Sequence, residues 1–134
     1  SEADEIKRIA KEKKVIGDVE DTDLITGAVM KIKEIVESGE IGDISYFDSV
    51  RVNMGLFEHD VDVIWDMAPN DIYILIHITE ERTNAVTANG VDHLNNGLVD
   101  VAYLTLHYKS NMIANFHVNL LSPVKDRKIL IGGT

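Results

Sequence analysis

Val99-Asp100-Val101-Ala102-Tyr103-Leu104-Thr105-Leu106-His107-Tyr108-Lys109-Ser110-Asn111-Met112-Ile113-Ala114-Asn115-Phe116-His117-Val118-Asn119-Leu120 is the stretch on which the fold turns. Two runs rich in β-branched, aromatic and aliphatic residues, 99–108 and 112–120, alternate at period two on either side of Lys109-Ser110-Asn111. A three-residue loop whose last position is an Asn, a residue that tolerates the left-handed conformation, joins antiparallel strands and pairs Tyr108 with Met112. That pairing puts Tyr103 opposite His117 and His107 opposite Ile113. One face then carries Ala102, Leu104, Leu106 and Tyr108 with Met112, Ala114, Phe116, Val118 and Leu120. The other carries Tyr103, Thr105 and His107 with Ile113, Asn115, His117 and Asn119. A slip of one residue would mix the two sets, so the clean separation supports the register.

The apolar face predicts a sheet covered by helices. The ring- and amide-rich face, Tyr103, Thr105, His107, Asn115, His117 and Asn119, predicts a self-association surface, because such side chains suit interfaces. His107 and His117 are not opposite each other and lack a third ligand at suitable spacing, which argues against a metal pair.

Upstream, Ser1 and Asp4 form a capping box with Asp in place of the usual Glu, and Ala3, Ile6, Ile9 and Ala10 recur at helical spacing, so residues 2–13 read as a helix. Val15 and Ile16 read as a very short strand. Asp18, Glu20, Asp21 and Asp23 crowd one segment but lack the order of a calcium-binding loop, and read as a solvated acidic turn in preference to a cation site. Residues 28–37 form a second helix, with Val29, Ile32, Ile35 and Val36 inward and Lys31, Lys33, Glu34 and Glu37 on its wet side. Residues 44–53 read as a strand that Gly55 ends, followed by a loop over 56–66. Pro69 suits the first turn of a helix whose buried side is Ile72, Leu75, Ile76 and Thr79. Residues 83–88 form a strand ending at Asn89-Gly90, and 128–131 a last one. The sum is an α+β domain: a mostly antiparallel, open-faced sheet of about five strands with two or three helices packed on one face.

At 134 residues and 45% hydrophobic content the chain is large enough to bury a core without staples. It has no cysteine, which removes disulfides, zinc-thiolate sites and cysteine nucleophiles and suits a reducing, cytoplasmic setting. The net charge of -10, with no basic block, repels a phosphate backbone and argues against nucleic acid. The longest apolar run, 72–78, is too short to span a bilayer, and residues 1–14 are charged throughout, unlike a secretory signal.

Chemistry concentrates in the segment from His59 to Asn70. Asp66 and Asn70 bracket the approach to a helix, with His59, Asp60, Asp62 and Arg51 as candidate neighbours. A carboxylate and an amide at a helix entrance can bind sugar hydroxyls; the plainer reading, favoured on spacing alone, is that Asp66 caps the helix. His77 reads as a packed or end-of-helix histidine, and His93 as a loop residue. No G-x-G-x-x-G, P-loop or G-x-S-x-G stretch occurs.

Several segments agree in order with one family. Residues 29–43 (VMKIKEIVESGEIGD), Asp48-Ser49-Val50-Arg51-Val52-Asn53, Trp65-Asp66-Met67-Ala68-Pro69-Asn70-Asp71, Leu121-Ser122-Pro123-Val124-Lys125 and Ile131-Gly132-Gly133 resemble the Gfo/Idh/MocA oxidoreductases, most of all the branch acting on nucleotide-linked sugars. The resemblance implies that residues 1–27 are the end of a Rossmann domain and residues 28–134 a shortened C-terminal substrate and oligomerisation domain. It implies that the family's nucleotide-binding strands and catalytic Lys lie outside this chain, so NAD(P) is expected only for a full-length relative and no cofactor for this chain alone. The family's Asp-x-x-x-His is here Asp66-Met67-Ala68-Pro69-Asn70, with Asn in place of the proton-transferring His. An amide exchanges no proton near neutral pH. The family's Gly-His-Thr-Phe-like segment stands here as Glu20-Asp21-Thr22-Asp23.

The expectation is a domain that binds a sugar or nucleotide sugar through Arg51, Asn53, Asp66 and Asn70, forms a homodimer or higher homo-oligomer, and has no dehydrogenase activity by itself. Two alternatives stand beside it: a piece of an active oxidoreductase completed by a separate Rossmann chain, and a sugar-binding module.

Overall fold

The computed structural model describes residues 1–17, 22–55 and 60–134. Among these are three helices, α1 (Glu2–Lys13), α2 (Gly27–Glu37) and α3 (Val63–Thr79), and five strands, β1 (Ile44–Met54), which lies between α2 and α3, and β2 (Ala85–Val91), β3 (Val101–His107), β4 (Ile113–Asn119) and β5 (Leu121–Gly133), which follow α3. The strands form one sheet in the order β2-β3-β4-β1-β5, antiparallel except for the parallel pair β1–β4. The α+β class and the mostly antiparallel sheet follow the sequence expectation.

The hairpin has the register that its loop dictates. Tyr103 lies opposite His117 and His107 opposite Ile113. Asn111 takes φ +68°, and the Tyr108 N–H donates to the Met112 carbonyl at 3.3 Å. All nine residues assigned to the apolar face are buried. They pack with Phe47, Val63, Met67, Ala68 and Leu75 into the main core, and a smaller cluster of Val29, Ile74 and Ile78 joins α2 to α3. Each fully buried Leu or Phe in such a core contributes roughly 1.5–3 kcal/mol relative to exposure.

Helix α1 keeps its capping box: the Asp4 N–H donates to Ser1 Oγ at 3.4 Å, and Ser1 Oγ–H to the Asp4 carboxylate at 2.7 Å. It has no buried residue, so the helices that cover the sheet are α2 and α3. The strand expected at Val15-Ile16 is not formed; the Val15 N–H closes the helix by donating to the Ala10 carbonyl, and Ile16 is 98% exposed. Lys33, expected on the wet side of α2, folds inward to donate to the His77 carbonyl at 3.0 Å.

Helix α3 begins six residues before the expected Pro69. Asp62 caps it by accepting from the Trp65 N–H at 3.0 Å, and the Val63 N–H is tied to the Val99 carbonyl at 2.9 Å. Pro69 therefore lies inside the helix, where its missing N–H leaves the Trp65 carbonyl without an intrahelical donor. Of the expected buried side, Leu75 is fully buried and Ile72 and Thr79 are partly buried, but Ile76 is 46% exposed, and Val63, Met67, Ala68, Asp71, Ile74 and Ile78 complete the buried face. Residues 62–66 of the expected loop over 56–66 are thus cap and helix, and residues 56–59, with His59, lie outside the described residues.

Two strands run longer than expected. In β2, Asn89-Gly90 does not turn; Gly90 pairs with Ala102, and a Cβ there would sit 2.6 Å from Val99 Cγ1. The turn comes later, where the Asp92 carboxylate accepts from the N–H groups of Asn96 and Gly97. Strand β5 starts at Leu121 because it lines the whole free edge of β1, and Pro123 falls in the register shift between Val52 and Met54, where the ladder is interrupted.

Candidate functional site

On β1, Phe47, Ser49 and Arg51 share the face turned to the helices, since their β4 partners are the buried Ala114, Phe116 and Val118. A cation on a buried face needs an acid. Asp71, 3% exposed on α3, supplies it: the Arg51 Nη2–H donates to Asp71 Oδ1 at 2.6 Å, Nε–H reaches both carboxylate oxygens at 3.2 Å, and Ser49 Oγ–H donates to Oδ2. Arg51 Nη2 also donates to Asp23 at 3.0 Å. Burial pushes the guanidinium pKa down, but the hydrogen bonds and charge of Asp71, then of Asp23, outweigh it and hold the pKa above its ordinary value.

Above this pair lies a polar cleft of about 370 Å³ lined by Thr22, Asp23, Arg51, Asn53, Asp66, Met67, Asn70 and Arg127. The four residues expected to bind ligand, Arg51, Asn53, Asp66 and Asn70, thus meet around one cavity. Asp66 stands in the first turn of α3 but does not cap it, since that role falls to Asp62. Asn70 Nδ2 donates weakly to the carbonyls of Asp66 (3.5 Å) and Met67 (3.3 Å), in the turn loosened by Pro69. A second cavity of about 300 Å³ shares Asp23, Arg51 and Arg127 and runs between α2, α3 and β5 along Val29, Ile32, Ile74 and Ile129.

The candidate neighbours divide. Asp60 is exposed, Asp62 is the cap, and Asp18, Glu20 and Asp21 lie outside the described residues. No group of His, Asp and Glu able to hold a metal occurs among the described residues. His77 is half-buried in the last turn of α3. His93, unremarkable in sequence, donates from Nδ1 to the buried Asp100 at 2.8 Å. The residues that sequence reasoning missed are Asp71, Asp23 and Arg127; the signal available for Asp71 was an acid directly before the apolar run 72–76.

A pyrophosphate does not fit the start of α3. The first turn of α3, which follows β1, is capped by the Asp62 carboxylate and carries Asp66, so a pyrophosphate would meet two negative charges where it needs free N–H groups.

On the open face, the Tyr103 and His117 rings stack with centroids 4.4 Å apart and planes 8° from parallel. His117 Nε2 is buried without a hydrogen-bond partner among the described residues, and burial holds its pKa below the ordinary histidine value. Asn115 bridges three strands, donating to Asp48 and accepting from Thr105 Oγ–H, each at 2.9 Å. No helix among the described residues is long and apolar enough to cross a membrane.

The family model of the GFO/IDH/MocA C-terminal domain matches residues 29–134. Among solved structures, the chain is similar to an inositol dehydrogenase homologue of Azotobacter vinelandii complexed with NADH and myo-inositol, with a TM-score of 0.87 at 16% identity, over 99% of this chain and 39% of that one. It is similar to the UDP-N-acetylglucosamine 3-dehydrogenase of Acidithiobacillus ferrooxidans (TM-score 0.83, 19% identity, 99% of this chain and 43% of that one). It is also similar to an oxidoreductase of Pseudomonas syringae (TM-score 0.85, 14% identity, 98% and 38%). At these identities the likeness is one of fold, and this chain spans about two fifths of each of those chains. No curated protein matches the sequence.

Proposed function

This chain belongs to the GFO/IDH/MocA C-terminal domain family of oxidoreductases, and from that premise we propose that its polar cleft binds a polyhydroxylated ligand, a sugar or nucleotide sugar. The observation that carries this reading is the convergence of Arg51, Asn53, Asp66 and Asn70 on one cavity with an almost wholly polar lining. Carboxylate and amide groups suit hydroxyls because they offer acceptors and donors side by side. Asp66 accepts from ligand hydroxyls, Asn53 and Asn70 both donate and accept, and the Arg51–Asp71 pair fixes the floor so that these groups need not reorganise on binding.

The chain by itself is not a dehydrogenase in this reading. Asn70 stands where the related motif has a proton-transferring His, and no His lines the cleft among the described residues. Calorimetric titration with neutral sugars and nucleotide sugars tests the binding: heat is expected, weakened roughly tenfold by Asp66→Ala, about the weight of one lost hydrogen bond to a charged group. No heat at millimolar ligand overturns the reading. Sustained reduced-cofactor absorbance with NAD(P) and any of these sugars overturns the assignment of inactivity.

A second observation favours self-association through the open sheet face. The stacked Tyr103 and His117, with Tyr103 54% exposed, suit a partner surface. Light scattering is expected to show a homo-oligomer that Tyr103→Glu dissociates; a wild-type monomer at high concentration rules this out.

A further inference from the structure

Asn-Gly occurs twice in the chain, at Asn89-Gly90 and at Asn96-Gly97. In that dipeptide the glycine carries no Cβ to crowd the approach of its nitrogen to the asparagine side-chain carbonyl, so the pair is prone to cyclise. Both pairs are exposed, and exposure does not separate them. The backbone does. Asn89 and Gly90 stand in the β2–β3 ladder opposite Tyr103 and Ala102, and a Cβ on Gly90 would crowd Val99. Asn96 and Gly97 lie beyond the ladder, in the loop that joins β2 to β3, and a Cβ on Gly97 would meet no described atom within 4 Å. Two side chains hold this second pair in place. The Asp92 carboxylate accepts from the Asn96 N–H at 3.3 Å and from the Gly97 N–H at 2.8 Å, and Asn96 Oδ1 accepts from the Leu98 N–H at 3.0 Å.

We propose that Asn96-Gly97 is a self-modification site, at which the chain closes a cyclic imide with loss of ammonia, and that Asp92 sets its pace. The Gly97 nitrogen gives its proton to hydroxide or a buffer base and bonds to the Asn96 side-chain carbonyl carbon. The bond from that carbon to Nδ2 then breaks, and ammonia leaves. Water opens the ring: cleavage at the side-chain carbonyl gives aspartate, and cleavage at the backbone carbonyl gives isoaspartate. The net change is an amide and a water converted to a carboxylic acid and ammonia. Ring closure needs the peptide between 96 and 97 to swing its nitrogen toward the side chain, and the bond from the Gly97 N–H to Asp92 opposes that swing. At Asn89 the same swing breaks ladder pairing, and ladder residues open at a higher free-energy cost than loop residues. The product sets a second carboxylate beside Asp92, and the isoaspartyl form lengthens the loop backbone. That loop leads to Val99, whose carbonyl holds the Val63 N–H at 2.9 Å at the start of α3.

The test ages the whole chain, wild type and Asp92→Ala, at mildly alkaline pH and maps its peptides by mass spectrometry, scoring Asn96 and Asn89 separately for aspartate and isoaspartate. The wild type is expected to convert Asn96 roughly tenfold faster than Asn89. D92A is expected to speed Asn96 by roughly a further tenfold, the weight of one hydrogen bond to a charged group, while Asn89 keeps its rate. Asn89 thereby reports folding, since a variant that merely unfolds speeds both sites together. In that event Asp92→Asn, which keeps an acceptor of the same shape, takes its place and is expected to speed Asn96 alone by a smaller factor. In urea the two wild-type sites should convert at similar rates. Rates that differ as much in urea as in the folded chain, or equal rates in the folded chain, overturn the assignment of the site. An Asn96 rate that the Asp92 variants leave unmoved or slow overturns the role of Asp92.

Discussion

Arg51 of β1 and Asp71 of α3 form a buried ion pair, 2.6 Å between Nη2 and Oδ1, that joins the sheet to the helix directly beneath the cleft. With Asp71 at 3% exposure and Arg51 at 9%, neither charge is solvated in the usual way, so each depends on the other. Removing Asp71 takes three hydrogen bonds from the buried Arg51 and leaves it Asp23 as a partner, whereas replacing both by apolar groups of similar shape restores a satisfied interior. Asp71→Ala is therefore expected to destabilise the chain by about 3–5 kcal/mol. The double replacement Arg51→Met with Asp71→Leu is expected to recover most of that loss and to abolish cleft binding. Urea denaturation of the three variants decides the matter, and a D71A midpoint equal to wild type would falsify the coupling.

Asp100 carries a pH-dependent share of stability. Burial pushes its pKa up, but the His93 side-chain hydrogen bond and then the backbone N–H groups of Leu94 and His93 outweigh this, and the pKa is depressed below its ordinary 3.8. A depressed carboxylate contributes stability that is present above the unfolded value and is lost as the pH falls through the lower folded value. Asp100→Asn is expected to cost about 1–3 kcal/mol at pH 7 by weakening the bonds that hold residues 93–94. The difference between wild type and variant should shrink as the pH drops below the ordinary carboxylate range. Parallel denaturation curves at pH 7 and pH 3 measure it, and a pH-independent difference speaks against the mechanism.

The hairpin was legible because its loop length and two-fold alternation dictate the same pairing, and the sheet's apolar face followed. Strand β1 shows the opposite case. Its even positions, Ile44, Tyr46, Val50 and Val52, are the more apolar set, yet the inward face carries Ser49 and Arg51. Hydropathy misjudges that face because its polarity is neutralised by acids far off in sequence, Asp23 and above all Asp71, the latter on a helix whose start was itself hidden. A Pro in a helical pattern points to a first turn, and only the Asp62 cap and the Val63–Val99 hydrogen bond, the latter set by tertiary packing, reveal the earlier start. Of the site, Arg51, Asn53, Asp66 and Asn70 could be named through a family resemblance. Arg127 could not, since its position depends on the length and register of β5.

Pro69 inside α3 is a local cost that the site makes use of. Its ring supplies no N–H to the Trp65 carbonyl, and in the same turn the Asn70 side chain reaches back to the carbonyls of Asp66 and Met67. Pro69→Ala restores the missing donor and a good helix former, so a gain on the order of 1 kcal/mol or more is expected. The regularised turn is also expected to reposition Asp66 and weaken ligand binding. Thermal denaturation together with calorimetry tests both halves; a variant less stable than wild type contradicts the first.

His117 is held neutral by its surroundings. Burial lowers its pKa from the ordinary 6.5, so between the folded and unfolded values the unfolded chain binds the extra proton. Stability is therefore expected to fall as the pH drops below 6.5, and the loss to level off once the pH passes the folded value. His117→Phe, which keeps the ring against Tyr103, should remove that slope. An NMR titration midpoint for His117 at or above the ordinary value would contradict the expectation.

Asn70 offers the most direct handle on chemistry in the cleft. An amide neither gains nor loses a proton between pH 5 and 8, so a cleft whose lining is Asp, Asn, Arg, Thr and Met is expected to bind neutral sugars with little pH dependence over that range. Asn70→His introduces an imidazole one helical turn from Asp66, close enough for the carboxylate to favour its charged form. Its midpoint is expected to lie above the ordinary histidine value, and sugar affinity should then vary with pH around that midpoint, because protonation exchanges an acceptor for a donor. The substitution supplies a proton-transfer group and nothing more, so no dehydrogenase turnover is expected from the chain alone. Calorimetry of wild type and N70H at pH 5.5 and 8 is the decisive comparison. Identical pH profiles for the two proteins would place residue 70 outside the ligand's reach and remove it from the binding set.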